Sequence, residues 1–154
     1  MNKLDGFRNF KWGTPFKTIE EKSEFSNNQV VTDVSKNPIT NEIEYLYIGK
    51  DIKLAGDLFL AVLIFNKNKE LIEGRYASQK QYSKVVSEQI FKEILTDLEL
   101  KYGLGTEFHD KVNKSVEYTF TGDITEVKLI NTHNKYSHVT ITYRNLKPII
   151  NNNL

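Results

Sequence analysis

No cysteine occurs anywhere in this 154-residue chain. That single absence removes disulfides, thiolate nucleophiles, zinc fingers and cysteine-held iron–sulfur clusters together. It leaves the compartment open, because a cysteine-free domain suits a reducing cytosol and equally an exported bacterial protein that folds without disulfides. An excess of charge of one sign is also lacking: the formal net charge is +1, so no broad field would draw the chain to nucleic acid or to an acidic membrane. Arginine stands only at positions 8, 75 and 144, and planar, bidentate reading of phosphate favours arginine over lysine. Nucleic acid is therefore not an expected partner. The most apolar stretch, Leu58 to Phe65, is far too short to span a bilayer, so no transmembrane segment is expected. The first residues, Met1 to Gly6, hold no apolar run of signal-peptide length, which points to the cytoplasm if Met1 is the native start.

What is present reads as alternating strands around two helices. Phe10 and Trp12 alternate with Asn9 and Lys11 as a short strand, and Gly13-Thr14-Pro15 opens a helix with Thr14 as N-cap and Pro15 as its first residue. Phe16 and Ile19 give that helix an apolar face, and Ser26-Asn27-Asn28 ends it. From Gln29 to Asn41 no period is firm, and the stretch reads as loop or edge strand with a turn at Asn37-Pro38. Three strands follow: Ile43, Tyr45 and Tyr47 alternate with Glu44 and Leu46, Leu58 to Phe65 is apolar on both faces, and Ile72, Gly74 and Tyr76 alternate with Glu73 and Arg75. Asn66 to Lys69 joins the second and third as a hairpin.

The strongest periodicity runs from Gln79 to Tyr102. Tyr82, Val86, Ile90, Ile94, Leu98 and Tyr102 recur every four residues, widened by Val85, Phe91 and Leu95, as the apolar face of a helix lying on a sheet. Ser78 is the expected cap, and Gly103 the left-handed stop. Val116 to Phe120, Ile124 to Ile130 and Val139 to Tyr143 then alternate as half-buried antiparallel strands.

Arg8, Phe10, Trp12-Gly13-Thr14-Pro15, the tyrosines near Tyr45, the apolar strand ending at Phe65, Leu71 with Tyr76, and the helix end Leu100-Lys101-Tyr102-Gly103 resemble a loose family of small, mostly uncharacterised bacterial proteins, many exported or lipid-anchored. The layout is also similar to the helix-plus-antiparallel-sheet repeat of the β-lactamase inhibitor protein and of BamE-type envelope proteins. The resemblance implies an envelope or secreted setting and supplies no catalytic residues. This chain departs from the exported pattern, showing neither a signal peptide nor a lipid-accepting cysteine.

Candidate chemistry is sparse. His133 and His138 flank the turn Asn134 to Ser137, and a hairpin there would bring two imidazoles together, as a metal site or an acid–base pair requires. A catalytic zinc has three protein ligands, and the remaining histidine, His109, lies in another loop beside Asp110; the pair reads as exposed turn histidines, with no metal and no cofactor assigned. No Gly-x-Ser-x-Gly elbow exists. The neighbouring Glu20 and Glu21 diverge on a helix, Glu42 and Glu44 share a solvated strand face, and Gly103-Leu104-Gly105 follows a helix where a phosphate loop would open one. Trp12, just before a glycine and a capped helix, reads as a plug for the end of the core. Tyr45, Tyr47 and Tyr136 fit a core margin and an interface equally well.

The sequence thus specifies one α+β domain over residues 1–150, with 151–154 a disordered tail: a curved antiparallel sheet of about six strands carrying two helices, in two helix-then-strands halves. Functionally it reads as a non-enzymatic binding protein that meets a protein partner or itself, with Tyr45, Tyr47, His133, Tyr136 and His138 as the contact candidates. The alternatives are an inhibitor or immunity-type protein, and a small-ligand carrier or enzyme with a pocket in the curve of the sheet.

Overall fold

The computed structural model describes residues 4–22, 34–47 and 52–149, with the backbone alone at 34–35 and 44–47. The expected tail at 151–154 lies outside these residues. Within them the chain is an α+β structure whose main sheet is antiparallel and not closed.

The chain enters through a two-strand hairpin, β1 (Gly6–Phe7) and β2 (Phe10–Lys11), followed by the short helix α1 (Phe16–Glu20). Thr14 does not cap that helix. Its hydroxyl donates to the Lys11 carbonyl at 2.6 Å, and Pro15 occupies the N-cap position with no side-chain cap. The reason is tertiary: Gly13 N–H donates to Leu71 O, Leu71 N–H to Thr14 O and Phe16 N–H to Lys69 O, so residues 13–16 are stitched to a neighbouring strand before any helix begins.

Then come β3 (Val34–Lys36), β4 (Ile43–Tyr47), β5 (Lys53–Leu54), β6 (Asp57–Phe65) and β7 (Leu71–Ser78). The long helix α2 (Lys84–Tyr102) leads to β8 (Thr106–Asp110), β9 (Ser115–Thr121), β10 (Thr125–His133) and β11 (Ser137–Asn145). The sheet order is β3-β4-β6-β7-β11-β10-β9-β8, with β5 paired to β6 off that path. The six long strands read from the sequence are all there; within the stretch read as loop or edge strand, Val34–Lys36 is an edge strand, β3, and the structure adds the edge strand β8 and the short β5. The two runs β3–β7 and β8–β11 meet where their last strands pair, Gly74 opposite Tyr143.

One face of the sheet carries the core. Phe59, Ala61, Leu63, Val127, Leu129, Val139 and Ile141 are buried there, and α2 packs on the β10 and β11 part of it, with Ile90, Phe91, Ile94 and Leu98 buried on the helix. Val86 is not part of that face: it is 42 % exposed, and Ser87 is buried in its place. A four-residue recurrence advances about 40° per step around a helix of 3.6 residues per turn, so four such steps cannot all face one sheet. The helix also starts later than its apolar pattern. Ser83, not Ser78, is the N-cap and accepts from Val86 N–H, while Ser78 Oγ accepts from Val139 N–H in the sheet. Tyr82 precedes the helix as a backbone bridge to Ser137, N–H to carbonyl at 3.1 and 3.2 Å in the two directions. Gly103 ends the helix at φ +84°, as expected of a residue without a Cβ.

The remaining part of the core face is covered by the N-terminal hairpin and α1. The Phe7 ring lies on Gly74, between Tyr76 and Tyr143 at centroid distances of 4.9 and 5.5 Å, and Phe16 meets Phe65 edge to face at 5.2 Å. Trp12 is half-buried against the core, and its indole N–H donates to the buried Thr125 hydroxyl at 2.8 Å. It closes the core's end, in the role expected of it.

Candidate interaction surface

The β10–β11 hairpin is the first candidate the sequence offers, and its turn is one residue shorter than it reads. Ser137 belongs to β11 and pairs with His133, while His138 pairs with Thr132. Cross-strand partners share a face and successive residues alternate, so His133 and His138 lie on opposite faces of the sheet. The hairpin therefore separates the two imidazoles. His133 Nδ1 sits 3.0 Å from Ser137 Oγ, and His138 is exposed on the other face. Tyr136 is exposed at the tip, with Lys135 Nζ 5.8 Å above its ring. His109 is in a strand, β8, and not a loop; its Nε2 meets Glu107 Oε1 at 2.6 Å, a contact that pulls the Glu107 carboxyl below its ordinary range. Among the described residues no group of three metal-ligating side chains comes together.

Tyr45 and Tyr47 are described by backbone alone. The β4 register sets them opposite Leu63 and Ala61, positions on the core side of the sheet. Of the carboxylates considered from sequence, Glu42 is engaged by Arg144, Glu21 is the C-cap of α1, and Glu20 borders a cavity of about 210 Å³ between Phe16, Ile43, Phe65 and Lys69.

The most concentrated polar constellation was not anticipated. Glu73 lies on the sheet face opposite the core, yet its side chain is only 7 % exposed. Arg75 Nη2 donates to one carboxylate oxygen at 2.9 Å and Arg144 Nη1 to the other at 2.8 Å, and Arg144 Nη2 reaches Glu42 at 3.1 Å. Burial opposes the Arg144 charge, but the two carboxylates outweigh it and hold the guanidinium above its ordinary pKa. Two of the chain's scarce arginines are thus held by carboxylates, in a geometry that satisfies both groups and leaves each less available to a ligand. The signal in the sequence was that scarcity. The tyrosines are no better poised for proton transfer: burial pushes Tyr143, Tyr102 and Tyr118 upward, and Tyr82 up to about 12.

Exposed apolar side chains also occur along the chain on either side of β8, on both faces of the sheet: Phe108 lies opposite Glu117, away from the core, and Leu100 is on α2, on the core side. Leu100, Leu104, Phe108 and Val112 follow one another from the end of α2 along β8 to the next turn, at 81, 89, 55 and 90 % exposure. β8 pairs with β9 alone and ends the sheet, so the backbone groups on its outer side have no strand partner among the described residues. The strand is held straight by an uninterrupted register from Thr106 opposite Thr119 to Asp110 opposite Ser115. Gly105 anchors its start, because a Cβ there would meet the Phe120 ring at 2.9 Å. At the other end Asp110 Oδ1 accepts from Val112 N–H and Asn113 N–H, which fixes the turn and draws the Asp110 carboxyl below its ordinary range. Thr106–Asp110 holds no proline, lysine or bulge, and its edge charges are the carboxylates Glu107 and Asp110.

Comparison with known proteins finds no matching family model, no matching curated protein and no matching solved structure.

Proposed function

We propose that this protein works by surface contact with another protein, and that the contact is made along the β8 edge. The observation that carries the reading is the open edge of β8 with an exposed phenylalanine, Phe108, at its centre, and with Leu104 and Val112 exposed just before and after the strand. Open edges bind by adding a strand, with backbone hydrogen bonds giving affinity and alternate side chains giving specificity. The hairpin tip with Tyr136, His133 and His138 is a secondary contact region in this reading. The envelope or secreted setting implied by the resemblance to exported bacterial proteins goes with it, as does the inhibitor or immunity-type role.

A second reading rests on the cavity beside Phe16, Ile43 and Phe65. Its volume of about 210 Å³ falls below the roughly 300–1,000 Å³ typical of small-molecule sites, and its two polar groups, Glu20 and Lys69, are of opposite charge. That fits a small apolar ligand better than a reaction.

Affinity capture from the native cell distinguishes these readings when the wild type is compared with Phe108→Lys at the edge and Tyr136→Ala at the tip. The proposal expects a partner that is lost with Phe108→Lys and kept, at reduced yield, with Tyr136→Ala. Capture indifferent to Phe108→Lys would overturn the edge reading, and turnover of a small molecule blocked by Phe16→Ala would replace it.

A further inference from the structure

The residues of β8 are arranged so that the strand can pair with itself. We infer that the β8 edge is the interface of a symmetric homodimer, in which two copies join their sheets by antiparallel β8–β8 pairing centred on Phe108. This rests on the reading of β8 as the docking edge, and it names the occupant.

The argument is one of register. In an antiparallel pairing centred on Phe108, residue 108 faces its own copy, 107 faces 109 and 106 faces 110. Phe108, 55 % exposed, would pack on Phe108 of the second copy, an aromatic cross-strand pair. Glu107 would face His109 of the second copy, and His109 would face its Glu107, so a carboxylate acceptor meets an imidazole N–H twice. Those two side chains meet within one strand at 2.6 Å, and the pairing would exchange that contact for its equivalent across the interface. Thr106 would face Asp110, a hydroxyl donor against a carboxylate. No carboxylate in Thr106–Asp110 meets a carboxylate, whereas centring on residue 107 sets Glu107 against itself, and like charges directly opposite destabilise a pair; centring on residue 109 loses both Glu107–His109 pairs. A two-fold axis requires this self-complementarity, because each patch must be its own partner.

The opposite edge lacks these properties. β3 is three residues long and ends in Lys36 before Asn37-Pro38, which are the features that blunt an edge. One sticky edge and one blunted edge give a closed dimer in place of an open fibre.

A five-residue pairing is a small interface, of the kind that is weak or transient, so solution mass should be followed to about 1 mM protein. The proposal expects the mass to rise from one chain toward two over that range. Two single variants sharpen the test: Glu107→Lys makes its edge cationic, and His109→Glu makes its edge anionic. Each alone should remain monomeric, and an equimolar mixture should regain the dimer, a result that contacts within one strand could not produce.

The absence of native cysteine allows a direct test of register. Phe108→Cys copies would stand about 4.5–5.5 Å apart at Cα, within disulfide reach, whereas Thr106→Cys copies would be roughly 14 Å apart along the strands. Mild oxidation should cross-link the first and spare the second. A wild type that stays monomeric to about 1 mM, a mixture that fails to associate, or equal cross-linking at 106 and 108 would each overturn the self-pairing. Loss of a different partner on Phe108→Lys would in that case still stand for the edge, so the two claims fail separately.

Discussion

Phe7 occupies the space that a side chain on Gly74 would fill: any Cβ at that position would fall inside the phenyl ring. The contact spans the chain, bringing the first strand onto the seventh at the line where β7 and β11 join the two halves of the sheet. The ring is 2 % exposed and flanked by Tyr76 and Tyr143. Gly74→Ala should therefore expel Phe7 and cost about 1–3 kcal/mol, and Phe7→Ala about 3–5 kcal/mol. In a double-mutant cycle the alanine at 74 should cost far less once Phe7 is gone, with a coupling of at least about 1 kcal/mol. Urea unfolding of the four proteins measures this, and strict additivity would show that the two sites act independently.

Ile94→Ala should cost roughly 2–5 kcal/mol and Val86→Ala less than about 0.5 kcal/mol, although both belong to the same four-residue pattern. Ile94 is 5 % exposed and Val86 42 %. Comparable losses at the two sites in denaturant unfolding would mean that the helix is rotated toward Val86.

Tyr82 gives a prediction with a pH signature. Its ring is 7 % exposed and its hydroxyl makes no well-formed hydrogen bond, although burial first and the nearby Asp57 carboxylate second push its pKa from 10 up to about 12. Phenylalanine would remove an unsatisfied polar atom, so Tyr82→Phe should leave stability at pH 7 unchanged or raise it by up to about 1 kcal/mol. A raised folded-state pKa means that the unfolded chain loses its proton first. Stability is then intact below about pH 10 and falls as the pH climbs toward about 12. The decline should be shallower in Tyr82→Phe, with a remainder from Tyr143, Tyr102 and Tyr118, whose pKa values are also raised. Thermal melts from pH 8 to 12 would record it. A loss above about 1 kcal/mol at pH 7 would mean that the hydroxyl is bonded after all.

The β5–β6 turn holds Ala55 at φ +52° before Gly56 at φ +74°, the pattern of a two-residue hairpin turn that favours Asn-Gly. Ala55→Asn should stabilise the protein by up to about 1 kcal/mol, since an L-residue with a plain methyl is strained in that region. A melting temperature that falls in this variant would contradict the turn assignment.

These cases also show which parts of the fold the sequence makes legible. The stripe Ile90, Ile94 and Leu98 and the alternation of β9, β10 and β11 are periodic signals, and each lies where its period sets it. The start of α2 is not periodic: Ser78 and Ser83 are equally good caps, and the choice is made by the Tyr82–Ser137 bridge, which local pattern does not contain. A turn one residue shorter than it reads flips His138 to the other face, because strand side chains alternate at every step. Glu73 reads as a solvent-facing residue, and its burial depends on an arginine 71 positions away. β8 escapes notice because a strand exposed on both sides shows no alternation, and Thr-Glu-Phe-His-Asp offers a single apolar residue. The surface on which the functional account turns was thus the part least marked in the sequence.

Amide hydrogen exchange resolved along β8 and β9, followed as the protein concentration is raised, tests the β8 edge most directly. If the edge is where this protein meets its second copy, the outward amides among Thr106–Asp110 slow with concentration while those of Ser115–Thr119, already flanked by strands on both sides, do not change. Exchange along Thr106–Asp110 that stays fast and constant at every concentration, and also in the presence of any partner captured from the cell, would contradict the account.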